Sequence, residues 1–68
     1  MPYASNADLP ERLRRVLPEH AQDIYRAAFN NAWLARRGEG DEATLHRIAW
    51  GAVKRRYRKS GDRWVPRD

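Results

Sequence analysis

The sequence predicts a mainly α fold: a compact three-helix domain with short extended N- and C-terminal arms. Three observations carry this. Apolar residues recur at helical spacing along successive stretches of the chain. Pro10, Pro18, the run Gly38-Glu39-Gly40 and Gly61 punctuate those stretches where helices start or stop. The chain has 68 residues and no cysteine, so no disulfide or thiolate metal site can support a core of this size. Large side chains must do so instead: Trp33, Trp50, Trp64, Tyr3, Tyr25, Tyr57 and Phe29 can each bury roughly 150–250 Å². The chain reads as a single domain over residues 1–68.

Residues 1–7 read as an extended arm. Asp8-Leu9-Pro10-Glu11 then offers a helix start, with Asp8 accepting from free amides and Glu11 placed as in a capping box. Leu9, Leu13, Val16 and Leu17 form one apolar face, which predicts a first helix over about residues 9–17. Pro18 ends it, because a proline pushes the residue before it out of helical geometry.

A second helix is predicted over residues 19–37. At roughly 100° per residue, Ala21, Ile24, Tyr25, Ala28, Ala32 and Ala35 share a face, and small side chains there let a neighbouring helix approach closely. Phe29 and Trp33 rotate off that face, with Arg26, Asn30 and Arg37 beyond them. Gly38 stops the helix, and Arg36 and Arg37 suit its negative end. Asn30 is a poor mid-helix residue. It is expected to hydrogen-bond an arm of the chain, or else to join a recognition surface with Arg26, Trp33 and Arg37.

Asp41-Glu42 opens a third helix, predicted over residues 41–59, with acidic residues at its positive end. Leu45, Ile48, Ala49, Ala52 and Val53 form its core face, flanked by Trp50 and Tyr57. Ser60-Gly61-Asp62 terminates it, and Arg63-Trp64-Val65-Pro66 reads as extended. The two arms are expected to lie together and to allow a minimal β-pairing around Tyr3 and Trp64.

Candidate chemistry is sparse. His20 and His46 lack a second histidine at metal-ligating spacing, and Glu42 with His46 reads as an ordinary surface pair. Ser5, Thr44 and Ser60 sit in no strand-to-helix elbow and beside no evident base. Gly38-Glu39-Gly40 lacks the lysine and preceding strand of a phosphate loop. The sequence therefore predicts no catalytic residue, no metal site and no cofactor.

The net charge is +5, which favours acidic partners. The run Lys54-Arg55-Arg56-Tyr57-Arg58-Lys59 concentrates it. Arg47, Lys54 and Arg58 align along the predicted helix, with Gly51 among them, Arg55 beside them and Trp50 at the edge. Arg56 points toward the apolar side. Three readings stay open: a solvated face that suits a helix C-terminus, a stripe that tracks phosphates, and a contact with anionic lipid. The candidate binding residues are Arg47, Trp50, Lys54, Arg55, Arg58 and Lys59. Asp8, Glu11, Arg12 and Arg14 interrupt any signal-peptide core, and no apolar run approaches the roughly 20 residues of a membrane span. A cytoplasmic monomer is the expectation.

Residues spread along almost the whole chain resemble the ChaB family. They are Met1-Pro2-Tyr3, Asp8-Leu9-Pro10, Leu17-Pro18 with His20-Ala21-Gln22, Ile24-Tyr25, Ala28-Phe29-Asn30 with Ala32-Trp33, His46, Ala49-Trp50 with Ala52-Val53-Lys54, Tyr57, Lys59 and Trp64. Two departures are the short Gly38-Glu39-Gly40 linker, where some relatives carry a charged insert, and the basic pair Arg55-Arg56. The resemblance implies a small, mostly helical bacterial protein of the kind described as a cation transport regulator, associated with a calcium or sodium/proton antiporter. It carries over no catalytic residues. Family members also occur joined to segments resembling the amino-terminal domain of the Rho termination factor. The function expected is thus a non-enzymatic regulatory module that contacts an antiporter or another protein. The alternative is a nucleic-acid-binding module using the basic face of the third helix.

Overall fold

In the computed structural model, which describes residues 3–36 and 41–67, the elements follow the order of the apolar stretches. A single 3-10 turn, Asn6–Asp8, precedes α1 (Glu11–Val16), α2 (Glu19–Ala35) and α3 (Glu42–Arg56). The strands β1 (Tyr57–Ser60) and β2 (Arg63–Pro66) follow. The expected helix end at Arg37-Gly38 and the Gly38-Glu39-Gly40 turn lie outside the described residues.

Local chemistry sets the helix boundaries. Pro10 and Pro18 occupy the N-cap positions of α1 and α2 with extended ψ angles of 141° and 161°. A proline has no N–H to leave unsatisfied there. Asp8 does not cap α1 as the spacing suggested. Its carboxylate instead accepts from the backbone N–H and the hydroxyl of Ser5, at 3.2 and 3.3 Å, closing the 3-10 turn. Gln22 Nε2 donates to the carbonyl of Leu17 at 2.9 Å, satisfying an orphan acceptor where α1 gives way to α2. Asp41 caps α3 by accepting from the Thr44 amide at 2.8 Å. The Thr44 hydroxyl, and next that amide bond, hold its carboxyl below the usual carboxylate range.

The core lies between α2 and α3, closed below by α1. Leu9, Leu13 and Leu17 are buried from the first segment, Ala21, Tyr25, Phe29 and Ala32 from α2, and Leu45, Ala49 and Val53 from α3. Phe29 was expected at the edge of its helix face but is 1% exposed. The buried row on α2 follows Ala21, Tyr25 and Phe29, spaced by a helical turn. Ala35 and Leu34 lie outside it, Leu34 being 61% exposed. On α3, Ile48 is likewise displaced from the expected core face.

The N-terminal arm is pinned along α2. Asn30 Oδ1 accepts from the Tyr3 amide and Asn30 Nδ2 donates to the Tyr3 carbonyl, both at 2.8 Å. The Tyr3 ring packs on Phe29 with centroids 4.8 Å apart. Arg26 Nε donates to Asn6 Oδ1 at 2.8 Å, and Asn6 Nδ2 donates to Asp23. Asn30 and Arg26 thus hold the arm, as one of the two sequence readings of Asn30 expected.

The third helix stops three residues earlier than predicted. Tyr57 leaves helical geometry with φ −131° and ψ 154°, and the chain forms a hairpin. A minimal β-pairing is therefore present, but its partners are β1 and β2, not the two termini. Tyr3 sits on α2, whereas Trp64 pairs across the ladder with Lys59. Ser60 faces Arg63, so Gly61-Asp62 is a two-residue loop, and Gly61 takes φ +65°. Tight hairpin loops need a positive φ at that first position, which glycine adopts without strain. The returning chain caps α3. The Arg67 amide donates to the Arg56 carbonyl at 2.8 Å, and Arg67 Nε donates to the Lys54 carbonyl at 2.7 Å.

Candidate binding groove

The hairpin brings residues from both sides of the α3 terminus to one place. Side chains alternate along a strand, so Tyr57 and Lys59 point one way and Arg58 and Ser60 the other. Tyr57 is buried, so Lys59 and its cross-strand partner Trp64 share the face turned toward the helices. Trp64 then meets Trp50 of α3 with ring centroids 5.3 Å apart and planes inclined by 38°. Trp50 is held from another side by an edge-on contact with Tyr25 at 5.5 Å. Such aromatic contacts add about 0.5–1.5 kcal/mol each beyond the buried area.

These two indoles form the apolar wall of a groove of about 490 Å³. Val16 of α1 extends the wall, Arg12, Lys54 and Lys59 rim it, and Asp62 of the hairpin loop lies at its edge. Three cations thus face one carboxylate around an aromatic surface. The ion pairs among the described residues are Asp23 with Arg26 and Glu42 with His46, so none of the rim cations is neutralised by one. Unpaired cations beside an apolar wall suit an anionic partner that also brings an apolar group.

The basic residues chosen from sequence are divided by the fold. Trp50, Lys54 and Lys59 reach the groove. Arg47 is exposed on α3, one helical turn before Trp50 and outside the groove lining. Arg55 is exposed and does not line the groove. Arg58, predicted on a helix face with Lys54, stands on the opposite face of β1 from Lys59. No continuous stripe of Arg47, Lys54 and Arg58 exists, because the helix that would align them ends at Arg56. Gly51 lies exposed on α3, with open space where a side chain would stand.

Arg12, Val16, Asp62 and Trp64 are the groove residues that sequence reasoning missed. Nothing in the sequence distinguishes Arg12 from the other charges of α1. Trp64 had a signal: Gly-Asp between two short segments containing β-branched and aromatic residues marks a hairpin. That hairpin would have placed Trp64 beside Lys59.

A smaller recess of about 220 Å³ adjoins the groove and shares Arg12 and Trp50 with it. Tyr25 and His46 line it. The Tyr25 hydroxyl is hydrogen-bonded to His46 Nδ1, and His46 Nε2 lies 3.4 Å from Glu42 Oε1. Burial pushes the Tyr25 hydroxyl far above the usual tyrosine range. Glu42 and His46 pair as the spacing suggested, yet the histidine's other nitrogen serves the core, which the sequence did not indicate. His20 is exposed and meets Tyr57 edge-on at 6.3 Å. Among the described residues no group of three or more histidines or carboxylates could hold a metal ion. No helix among them is long and apolar enough to cross a membrane.

The fold has known counterparts. Residues 9–67 match the family model ChaB. Proteins named "Putative cation transport regulator ChaB" from Escherichia coli (strain K12) and Shigella flexneri are each 48% identical over 69 residues, covering 91% of this chain and 91% of their own length. A solution NMR structure of a protein of that name matches with a TM-score of 0.84 and 43% identity, over 98% of this chain and all of the other. With the same fold and nearly the same length, the chain belongs to the ChaB family.

Proposed function

We propose that this protein is a non-enzymatic regulatory module that acts on cation transport by protein–protein contact through the Trp50–Trp64 groove. The partner class is a cation/proton antiporter, met from the cytoplasmic side. The relatives' name supplies the physiological context. The observation that carries the contact reading is the rim of three cations, without an ion-pair partner among the described residues, around two half-buried indoles. A regulator of this kind works only by binding one conformation of the transporter better than another, since equal binding shifts nothing.

A phosphate-tracking surface is less well supported, because the fold separates Arg58 from Lys54 and Lys59. Nucleic-acid binding needs cations spaced along a path that follows a backbone.

Cation–proton exchange in inverted membrane vesicles, whose outer face is the cytoplasmic one, tests the proposal. Added protein is expected to change the exchange rate. The double variant Lys54→Glu, Lys59→Glu should lose that effect, while Arg58→Glu retains it. No change of rate with the wild-type protein would overturn the transporter reading. Retention of the effect by the double variant would remove the groove from it.

A further inference from the structure

We propose that the groove takes a short acidic segment of a partner protein bearing one aliphatic or aromatic anchor residue. The anchor rests on the Trp50 and Trp64 indoles, and flanking carboxylates meet Arg12, Lys54 and Lys59. This rests on the protein-contact reading above and adds the chemistry of the occupant.

Four features of the groove select that chemistry. Its volume of about 490 Å³ falls within the roughly 300–1,000 Å³ of ligand-binding clefts, enough for a few side chains. Its wall is continuous. The indole centroids are 5.3 Å apart, whereas a ring inserted between them would need two contact distances of roughly 3.5–4.0 Å each. The wall therefore receives a side chain laid against it and has no slot for a sandwiched base.

The cations are also arranged for scattered carboxylates. Arg12 comes from α1, Lys54 from the last turn of α3 and Lys59 from β1, so they surround the wall on separate elements. Asp62 sits among them at the loop end. A carboxylate there repels a dense polyanion more than a short peptide whose acidic residues are separated by its apolar anchor.

The charges are available as well. The carboxylates that form ion pairs among the described residues, Asp23 and Glu42, engage Arg26 and His46 elsewhere. Burying the apolar anchor supplies non-directional binding, and the rim charges supply orientation and rapid association.

The probe is an acetylated and amidated peptide, Glu-Glu-Leu-Phe-Glu-Glu, titrated at low salt while the three indole N–H signals are followed by NMR. Signals of Trp50 and Trp64 should shift and that of Trp33 should stay. Replacing the glutamates by glutamine, or Leu-Phe by Ala-Ala, should weaken binding about tenfold or more. The double variant Lys54→Gln, Lys59→Gln should weaken it similarly, and Arg58→Gln should leave it unchanged.

Equal binding of the glutamine peptide would overturn the proposal. So would tighter binding of a single-stranded oligonucleotide or of phosphatidylglycerol vesicles at the same two indoles. Failure of the peptide alongside a charge-reversal effect in the vesicle assay would remove this occupant and leave the regulatory contact standing. Peptide binding without any effect on exchange would keep the occupant and remove the transporter.

Discussion

Lys59 and Trp64 stand directly opposite one another in the β1–β2 ladder. That single pairing places a cation beside an indole on the face of the hairpin turned toward Trp50. The groove therefore depends on the hairpin's register. A slip of one residue would put Trp64 on the same face as Arg58 and part it from Lys59.

Gly61 holds that register, so its substitution should be felt twice. An alanine there meets nothing within 4 Å, and the cost is purely the left-handed backbone at φ +65°. Gly61→Ala should lower stability by about 1–2 kcal/mol, measured by thermal or urea unfolding. It should also alter tryptophan fluorescence as the Trp50–Trp64 contact loosens. Gly61→Asn should cost less, because asparagine tolerates this region better.

Asn30 makes both backbone bonds of Tyr3, each at 2.8 Å. Asn30→Ala should destabilise the fold by about 1–2 kcal/mol through the two lost bonds. Hydrogen exchange at the Tyr3 amide should rise well above that of the α2 core. An unchanged exchange rate would show that the Tyr3–Phe29 contact alone retains the arm.

Tyr25 predicts a specific alkaline limit. Below about pH 10 the phenol is neutral in both the folded and the unfolded chain and contributes no slope. Above it the unfolded chain loses the proton while the buried hydroxyl keeps it, so the unfolded state binds fewer protons and stability falls as pH rises. The slope reaches up to about 1.4 kcal/mol per pH unit for this group. Tyr25→Phe should be less stable at neutral pH, having lost the His46 bond, yet show a shallower alkaline slope in urea unfolding series.

Arg67 acts as the cap that α3 lacks from its own sequence. Its Nε donates to the Lys54 and Tyr57 carbonyls at 2.7 and 3.2 Å. Arg67→Ala should cost about 1 kcal/mol and raise amide exchange in β2 and the last turn of α3. Loss of stability without faster exchange there would place the effect elsewhere.

How legible this was differs between elements for physical reasons. The helices were legible because their signals are local: Pro18 separates the first two, Asp41 opens the third, and leucine and alanine spacing marks faces, although the spacing puts the first start at Asp8 and it lies at Pro10. The length of α3 was not. Lys54-Arg55-Arg56 suits a continuing helix as well as its final turn, and Tyr57-Arg58-Lys59 carries no breaker. Whether Tyr57 stays helical depends on the core site its ring fills and on the Arg67 cap, both supplied by distant segments. The position of Phe29 failed for a related reason. A stripe of alanines and large aromatics at neighbouring angles leaves the centre of the buried face undecided until another helix packs on it.

By itself, then, the sequence determined three helices in order, a core without cysteine in which Tyr25 and Phe29 are central, and the likeness to a family whose model matches residues 9–67. Those features follow from local backbone chemistry and periodicity. Only the tertiary structure decided which cations stand together. The side chain of a basic residue points wherever its backbone turns it, and the change from helix to strand at Tyr57 turned Lys59 toward Trp50 and Arg58 away.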